Sequence, residues 1–156
     1  MPIKRNSNIV ALSKDHHFGL LFCWKITEGI KKNIPLHRVK SYVEFFWTNH
    51  LAVHFKEEEE LLFDPINDPF CDKAKEDHQI IRKEIEKIKN NEERGKHDYL
   101  HLAQLINQHI RFEERVLFPN LELLLSEQKL EEIRRRLAQF HTVYKDDYED
   151  EFWIKA

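Results

Sequence analysis

His54-Phe-Lys-Glu-Glu58-Glu-Glu-Leu-Leu-Phe63 returns half a chain later as His109-Ile-Arg-Phe-Glu113-Glu-Arg-Val-Leu-Phe118. Five of the ten positions are identical and three more are conservative, and a proline follows each copy within two residues. A His-x-x-x-Glu spacing lays both side chains on one face of an α-helix. Composition alone gives roughly one such pair by chance. Two occur, in matched contexts, and each is preceded one helix earlier by an Asp-His pair, Asp15-His16 and Asp77-His78. The chain therefore reads as two rough copies of a helix bearing His followed by a helix bearing His-x-x-x-Glu.

Outward from these segments, the helical period continues. Stretches rich in Leu, Ile, Glu, Lys and Gln favour helix. The chain holds only three glycines, where about 7% of residues would be ordinary, and sheets consume glycine in turns and bulges. The first helix is expected over about Leu12 to Lys32, with Leu12, His16, Gly19, Cys23, Ile26 and Ile30 inward and Ser13 and Asp15 suited to its N-terminal end. Asn33-Ile34-Pro35 breaks it. The second runs from Pro35 to about Phe63, with Val39, Val43, Phe46, His50, His54, Glu58 and Leu61 inward. Asp64-Pro65 and Asp68-Pro69 mark a loop, with Asp68 a candidate N-cap. The third spans about Cys71 to Asn90, with Ala74, His78, Ile81, Ile85 and Ile88 on one face, and a polar break follows over 90–95. The fourth spans about His97 to Phe118, with Leu102, Leu105, Ile106, His109, Phe112, Glu113 and Val116 inward, and Pro119 ends or kinks it. A fifth, about Glu127 to His141, is amphipathic through Leu130, Ile133, Leu137 and Phe140. The expectation is an all-α fold: an antiparallel up-down four-helix bundle with an additional C-terminal helix packed outside it. It reads as a single domain over residues 1–156, the bundle at about 10–125 and the C-terminal helix and an acidic, aromatic tail at about 126–156.

Composition narrows the function. The 25 basic and 28 acidic residues leave a net charge of −3, without the basic excess that nucleic-acid binding requires. Apolar runs fall far short of the ~20 residues of a membrane span. Met1 to Asn8 carries Lys4 and Arg5 but leads into no apolar stretch with a cleavage site. Two cysteines, Cys23 and Cys71, make no disulfide framework. These features suggest a cytoplasmic protein. The chain lacks Cys-x-x-Cys, His-Glu-x-x-His, Gly-x-Ser-x-Gly, P-loop and Gly-x-Gly-x-x-Gly motifs. It also lacks the Glu-x-x-His of ferritin-like di-iron bundles.

The inward stripes hold six residues that an apolar core should exclude: His16, His54, Glu58, His78, His109 and Glu113. Burying a carboxylate alone is expensive, whereas a cation beside it inverts the local pKa logic. Folding the two copies antiparallel brings four imidazoles and two carboxylates to the bundle axis. That set suits two first-row metals, each taking two imidazoles, with both carboxylates able to bridge; iron, manganese and zinc all fit such donors. His17 is an alternative to His16. His50 and His101 are read either as a supplementary ligand or proton relay, or as hydrogen-bonded structural histidines. Within the Glu57–Glu60 run only Glu58 need point inward, and Glu114 is expected at the surface. Cys23 is expected to pack as a small apolar residue, and Cys71 to sit near a loop.

These motifs resemble the hemerythrin-like, or HHE cation-binding, domain family over about residues 10–125. The resemblance rests on Asp15-His16-His17, His54-x-x-x-Glu58 before Leu-Leu-Phe, Asp77-His78, and His109-x-x-x-Glu113 before Val-Leu-Phe-Pro. It implies a four-helix bundle with two iron ions in a non-haem centre. His16 and His54 would ligate one, His78 and His109 the other, and Glu58 and Glu113 would bridge. Oxygen-carrying members have a further histidine where this chain has Ala74, and His-x-x-x-x-Asp where it has His-x-x-x-Glu. The implied function is a module that binds oxygen or nitric oxide for sensing, storage or iron handling. The alternatives are a di-iron oxidase, peroxidase or nitric oxide reductase, and a structural or partner-binding bundle with adventitious zinc.

Overall fold

The computed structural model describes residues 5–90, 95–141 and 144–154; most of the polar break over 90–95, and Lys4, fall outside this range. Helix α1 spans Val10–Lys31, starting two residues before the sequence expectation. Neither Ser13 nor Asp15 caps it: Ile9 holds the cap position without a side-chain bond. Its C-terminal end closes through Asn33, which adopts φ 56°. The N–H groups of Ile34 and Asn33 return to the carbonyls of Gly29 and Ile30 at 3.0 and 3.1 Å. This pairing satisfies the last carbonyls of the helix, and asparagine tolerates the left-handed backbone it demands.

Helix α2, residues 36–63, is a rod built of Leu36–Phe46, a π-turn at Trp47–Leu51, Ala52–Glu58 and a second π-turn at Glu59–Phe63. Helix α3 spans Pro69–Asn90, and Asp68 caps it by accepting from the Phe70 N–H at 2.8 Å. Helix α4, residues 96–124, comprises Lys96–Phe112, a π-turn at Glu113–Leu117 and Phe118–Leu124. Pro119 therefore does not stop the helix. It falls just after a turn whose ladder is already displaced, and the Glu114 carbonyl, five residues back, accepts instead from the Arg5 guanidinium at 2.7 Å. Helix α5 spans Glu127–Phe140, capped by the Ser126 side chain at 3.1 Å from the Lys129 N–H. Among the described residues there is no strand.

Helix α1 packs against α2 and α4, and α3 packs against the same two. Consecutive helices joined by short links thus close a four-membered ring of alternating direction, and α5 lies across the second π-turn of α2. Two apolar clusters fill the interior. One contains Phe22, Ile26, Val43, Phe46, Phe55, Ile81, Ile85 and Ile106. The other contains Leu12, Leu61, Phe63, Ala74, Leu117, Phe118 and Leu121, sealed by Leu130, Ile133 and Leu137 of α5. Each fully buried large side chain contributes about 1.5–3 kcal/mol. On every bundle helix the histidine or glutamate of interest lies between a residue of one cluster and a residue of the other.

Three packing expectations change. Phe140, expected on the apolar face of α5, is 65% exposed, because it is the last residue of that helix, beyond Leu137, the final one to reach the second cluster. Val116 faces solvent and Leu117 turns inward instead, because the π-turn advances the α4 face by one position. Cys71 is fully buried rather than near-surface, since α3 begins at Pro69 and carries it into the second cluster. The tail straps the far side of the bundle. Phe152 lies over Gly29, where an added Cβ would come within 2.6 Å of its ring. Buried Lys25 reaches Asp146 at 2.8 Å and stands 4.1 Å above the Trp153 ring. No described helix is long and apolar enough to cross a membrane.

Candidate metal centre

The structure brings all six predicted residues into one layer. His16 comes from α1, His54 and Glu58 from α2, His78 from α3, and His109 and Glu113 from α4. None is more than 4% exposed. A π-turn begins immediately after Glu58 and another at Glu113; such turns re-aim side chains and concentrate at functional sites. His17 and His101 are exposed and take no part in the layer.

The inner nitrogens converge on the two carboxylates. His16 Nε2 is 3.0 Å from Glu113 Oε1 and 3.9 Å from Glu58 Oε2. His54 Nε2 and His78 Nε2 are each 3.3 Å from Glu58 Oε1. His109 Nε2 is 3.1 Å from Glu113 Oε1. Two four-residue groups result, each with ligand atoms within 4.8 Å of one another: His16, His54, Glu58, Glu113, and Glu58, His78, His109, Glu113. Both carboxylates belong to both groups.

The outer nitrogens each face an acid that sequence reading did not assign. His54 Nδ1 donates to Asp15 at 2.9 Å, His78 Nδ1 to Glu59 at 2.6 Å and His109 Nδ1 to Asp77 at 3.1 Å. His16 Nδ1 faces Glu114 at 3.7 Å, beyond a full hydrogen bond. Such partners fix the tautomer and the ring orientation of a metal-ligating histidine. Asp15, Glu59 and Glu114 thus turn away from the N-terminal or solvated roles their sequence positions suggested. The available signal was adjacency: each acid neighbours a candidate ligand in the chain, yet serves the histidine of another helix. Glu57 is also buried. It accepts from His141 Nδ1 at 3.0 Å, and His141 Nε2 lies 3.5 Å from Asp15.

Electrostatics follow from this packing. Burial pulls His109 down, but the charge of Glu113 and the hydrogen bond to Asp77 outweigh it and raise the imidazole to about 10. Burial likewise opposes His54, yet Glu58 and Asp15 hold it well above its ordinary value. Burial would raise Glu113, but His109, Glu58 and His16 keep it well below the usual carboxylate range. His50 is different. Burial, reinforced by the charge on His54, lowers it to about 4, so it is neutral at ordinary pH.

The donor set fits a cation. Both oxygens of Glu58, Glu113 Oε2 and His54 Nε2 are buried without a hydrogen-bond partner. His78 Nε2 and His109 Nε2 face each other at 3.1 Å, and both rings already donate through Nδ1. Two lone pairs aimed at each other repel unless a proton or a metal ion lies between them. A small cavity of about 10 Å³ adjoins this layer, lined in part by His16, His50, His54, His109, Glu113 and Gly19. Ala74 is not among its lining residues and is fully buried in the second apolar cluster.

A helical bundle with a buried layer of shared carboxylates and imidazoles defines a cation-binding module. The family model of the hemerythrin HHE cation-binding domain matches residues 11–121, and the chain belongs to that family. Comparison with curated proteins and with solved structures returned no match.

Proposed function

We propose that this chain is a non-haem di-iron protein that binds oxygen or nitric oxide, serving sensing, storage or iron handling in a cytoplasmic setting. The observation that carries the reading is that Glu58 and Glu113 belong to both four-residue groups. His16 and His54 would hold one ion, His78 and His109 the other, and the two glutamates would bridge them. Bound iron supplies redox chemistry and coordination positions for a diatomic gas; zinc and manganese accept the same donors. The protein's own residues do the remaining work. Asp15, Glu59 and Asp77 hold three imidazoles with Nδ1 protonated, so that each Nε2 lone pair faces inward. The flanking apolar clusters keep water out, which strengthens every charge interaction inside.

A second reading, a di-iron oxidase, peroxidase or nitric oxide reductase, is motivated by Ala74. Its methyl group supplies no donor at the position where oxygen carriers of the family place a histidine. Anaerobic loading with ferrous iron followed by exposure to air tests the centre. Two irons per chain and new near-ultraviolet absorption of a ferric pair support it. Sub-stoichiometric metal with no new bands would make the histidines structural. Turnover of peroxide or nitric oxide well above free iron would favour the enzyme, and a stable adduct without turnover the binding module.

A further inference from the structure

His50 belongs to neither four-residue metal group, yet it is only 5% exposed and lines the cavity beside His16, His54, His109 and Glu113. At about 10 Å³, that cavity admits about one water-sized molecule. Gly19 helps define its wall, since a Cβ there would sit 2.6 Å from Ile110 Cδ1. The π-turn Trp47–Leu51 carries His50 one turn before His54. The ring is fixed on several sides: Tyr144 at 4.8 Å, Phe46 at 5.0 Å, Phe18 at 5.8 Å, and the nearly parallel His54 ring at 6.0 Å.

Its polar contact is weak by comparison. His50 Nε2 lies 3.4 Å from the Asp15 carbonyl, an acceptor inside α1 that the helix ladder already uses. A buried imidazole held rigidly, with an N–H in a long and shared bond, is a donor available to a better acceptor. The adjoining chamber is where that acceptor would sit. We propose that His50 is a specificity-determining residue of the chamber, donating a hydrogen bond from its ring to a small anionic ligand and so favouring it over a neutral one. The inference rests on the di-iron reading above. Its physical basis is that hydrogen bonds to charged acceptors are about twice as strong as neutral ones.

The test uses the full chain loaded with iron. Optical titrations measure cyanide, a diatomic anion, on the oxidised protein, and nitric oxide, a neutral diatomic, on the reduced protein. His50→Leu should raise the cyanide Kd about tenfold, equivalent to about 1.4 kcal/mol, and shift nitric oxide less than about threefold. His50→Gln, which retains a side-chain donor, should restore cyanide binding to within about threefold of wild type. Both variants should keep two irons per chain. In the metal-free chain, the His50 nuclear magnetic resonance signals should show Nε2 protonated. The proposal fails if His50→Leu leaves cyanide unchanged, if both ligands weaken equally, if the variant loses iron, or if Nε2 carries no proton. Failure of the di-iron reading is separately visible: wild-type protein would then take up no iron, and the chamber proposal would fall with it.

Discussion

Replacing Asp15 with alanine should loosen the metal without unfolding the bundle. Asp15 is 5% exposed; one carboxylate oxygen accepts from His54 at 2.9 Å, and the other lies 3.5 Å from His141. Removing the acid frees the His54 ring to rotate and to change tautomer. Outer partners of this type are worth about 10–100-fold in metal affinity, or about 1.4–2.8 kcal/mol at 1.4 kcal/mol per decade. The unpaired imidazole N–H costs about 1–3 kcal/mol of stability, lowering Tm by about 2–4 °C per kcal/mol for a chain of this size. Asp77→Ala should act like Asp15→Ala, because its bond to His109 is 3.1 Å. Glu114→Ala should cost less than about threefold in affinity, because at 3.7 Å it makes no full hydrogen bond. The assay is anaerobic competition for ferrous iron against a chromophoric chelator, with circular dichroism of the metal-free protein as the control for folding. Wild-type affinity in Asp15→Ala, or a larger loss in Glu114→Ala than in Asp15→Ala, would refute the idea that these acids orient the ligands.

Other outcomes follow from single features. Glu113→Ala should abolish two-iron stoichiometry, while His17→Ala and His101→Ala, at exposed positions, should leave metal analysis unchanged. Gly29→Val should destabilise by about 1–3 kcal/mol through overpacking, since even a Cβ meets the Phe152 ring at 2.6 Å; thermal unfolding reads it as a fall of several degrees. Both thiols are buried, and burial pushes each up to about 12. Iodoacetamide at pH 8 should therefore leave native protein unmodified by mass spectrometry while labelling both cysteines in urea.

The stripe logic that marked His16, His54, His78 and His109 succeeded because the 3.6-residue period is set by the backbone alone. It failed at Val116, where a π-turn advances the helix by one position without any distinctive residue to announce it. Pro119 misled for the same reason: its missing N–H matters only if the ladder is regular, and Arg5, 109 residues away from Glu114 in sequence, fills the gap. The acids beside the ligands were readable as residues but not as roles, since adjacency in the chain points to one helix and the hydrogen bond goes to another. The tail's seat over Gly29 depends on the shape of Phe152 against α1, which no local pattern encodes.

The outer acids carry a further regularity. Asp15 serves His54, Glu59 serves His78, Asp77 serves His109 and Glu114 faces His16. Exchanging the first sequence copy for the second maps this set of pairs onto itself. Two pairs are internal to a copy and two cross between copies, which is the pattern of a self-complementary two-fold interface. A half-length chain pairing with its twin would present the same arrangement. A single chain holding both copies is free to break that equivalence. Arg82 holds Glu59 at 2.9 Å, close against His78, whereas Ser13 and Arg5 draw Glu114 aside. Two positions with matching roles in the two copies are therefore held by different partners, and the equivalence of the halves stops at this outer ring of acids.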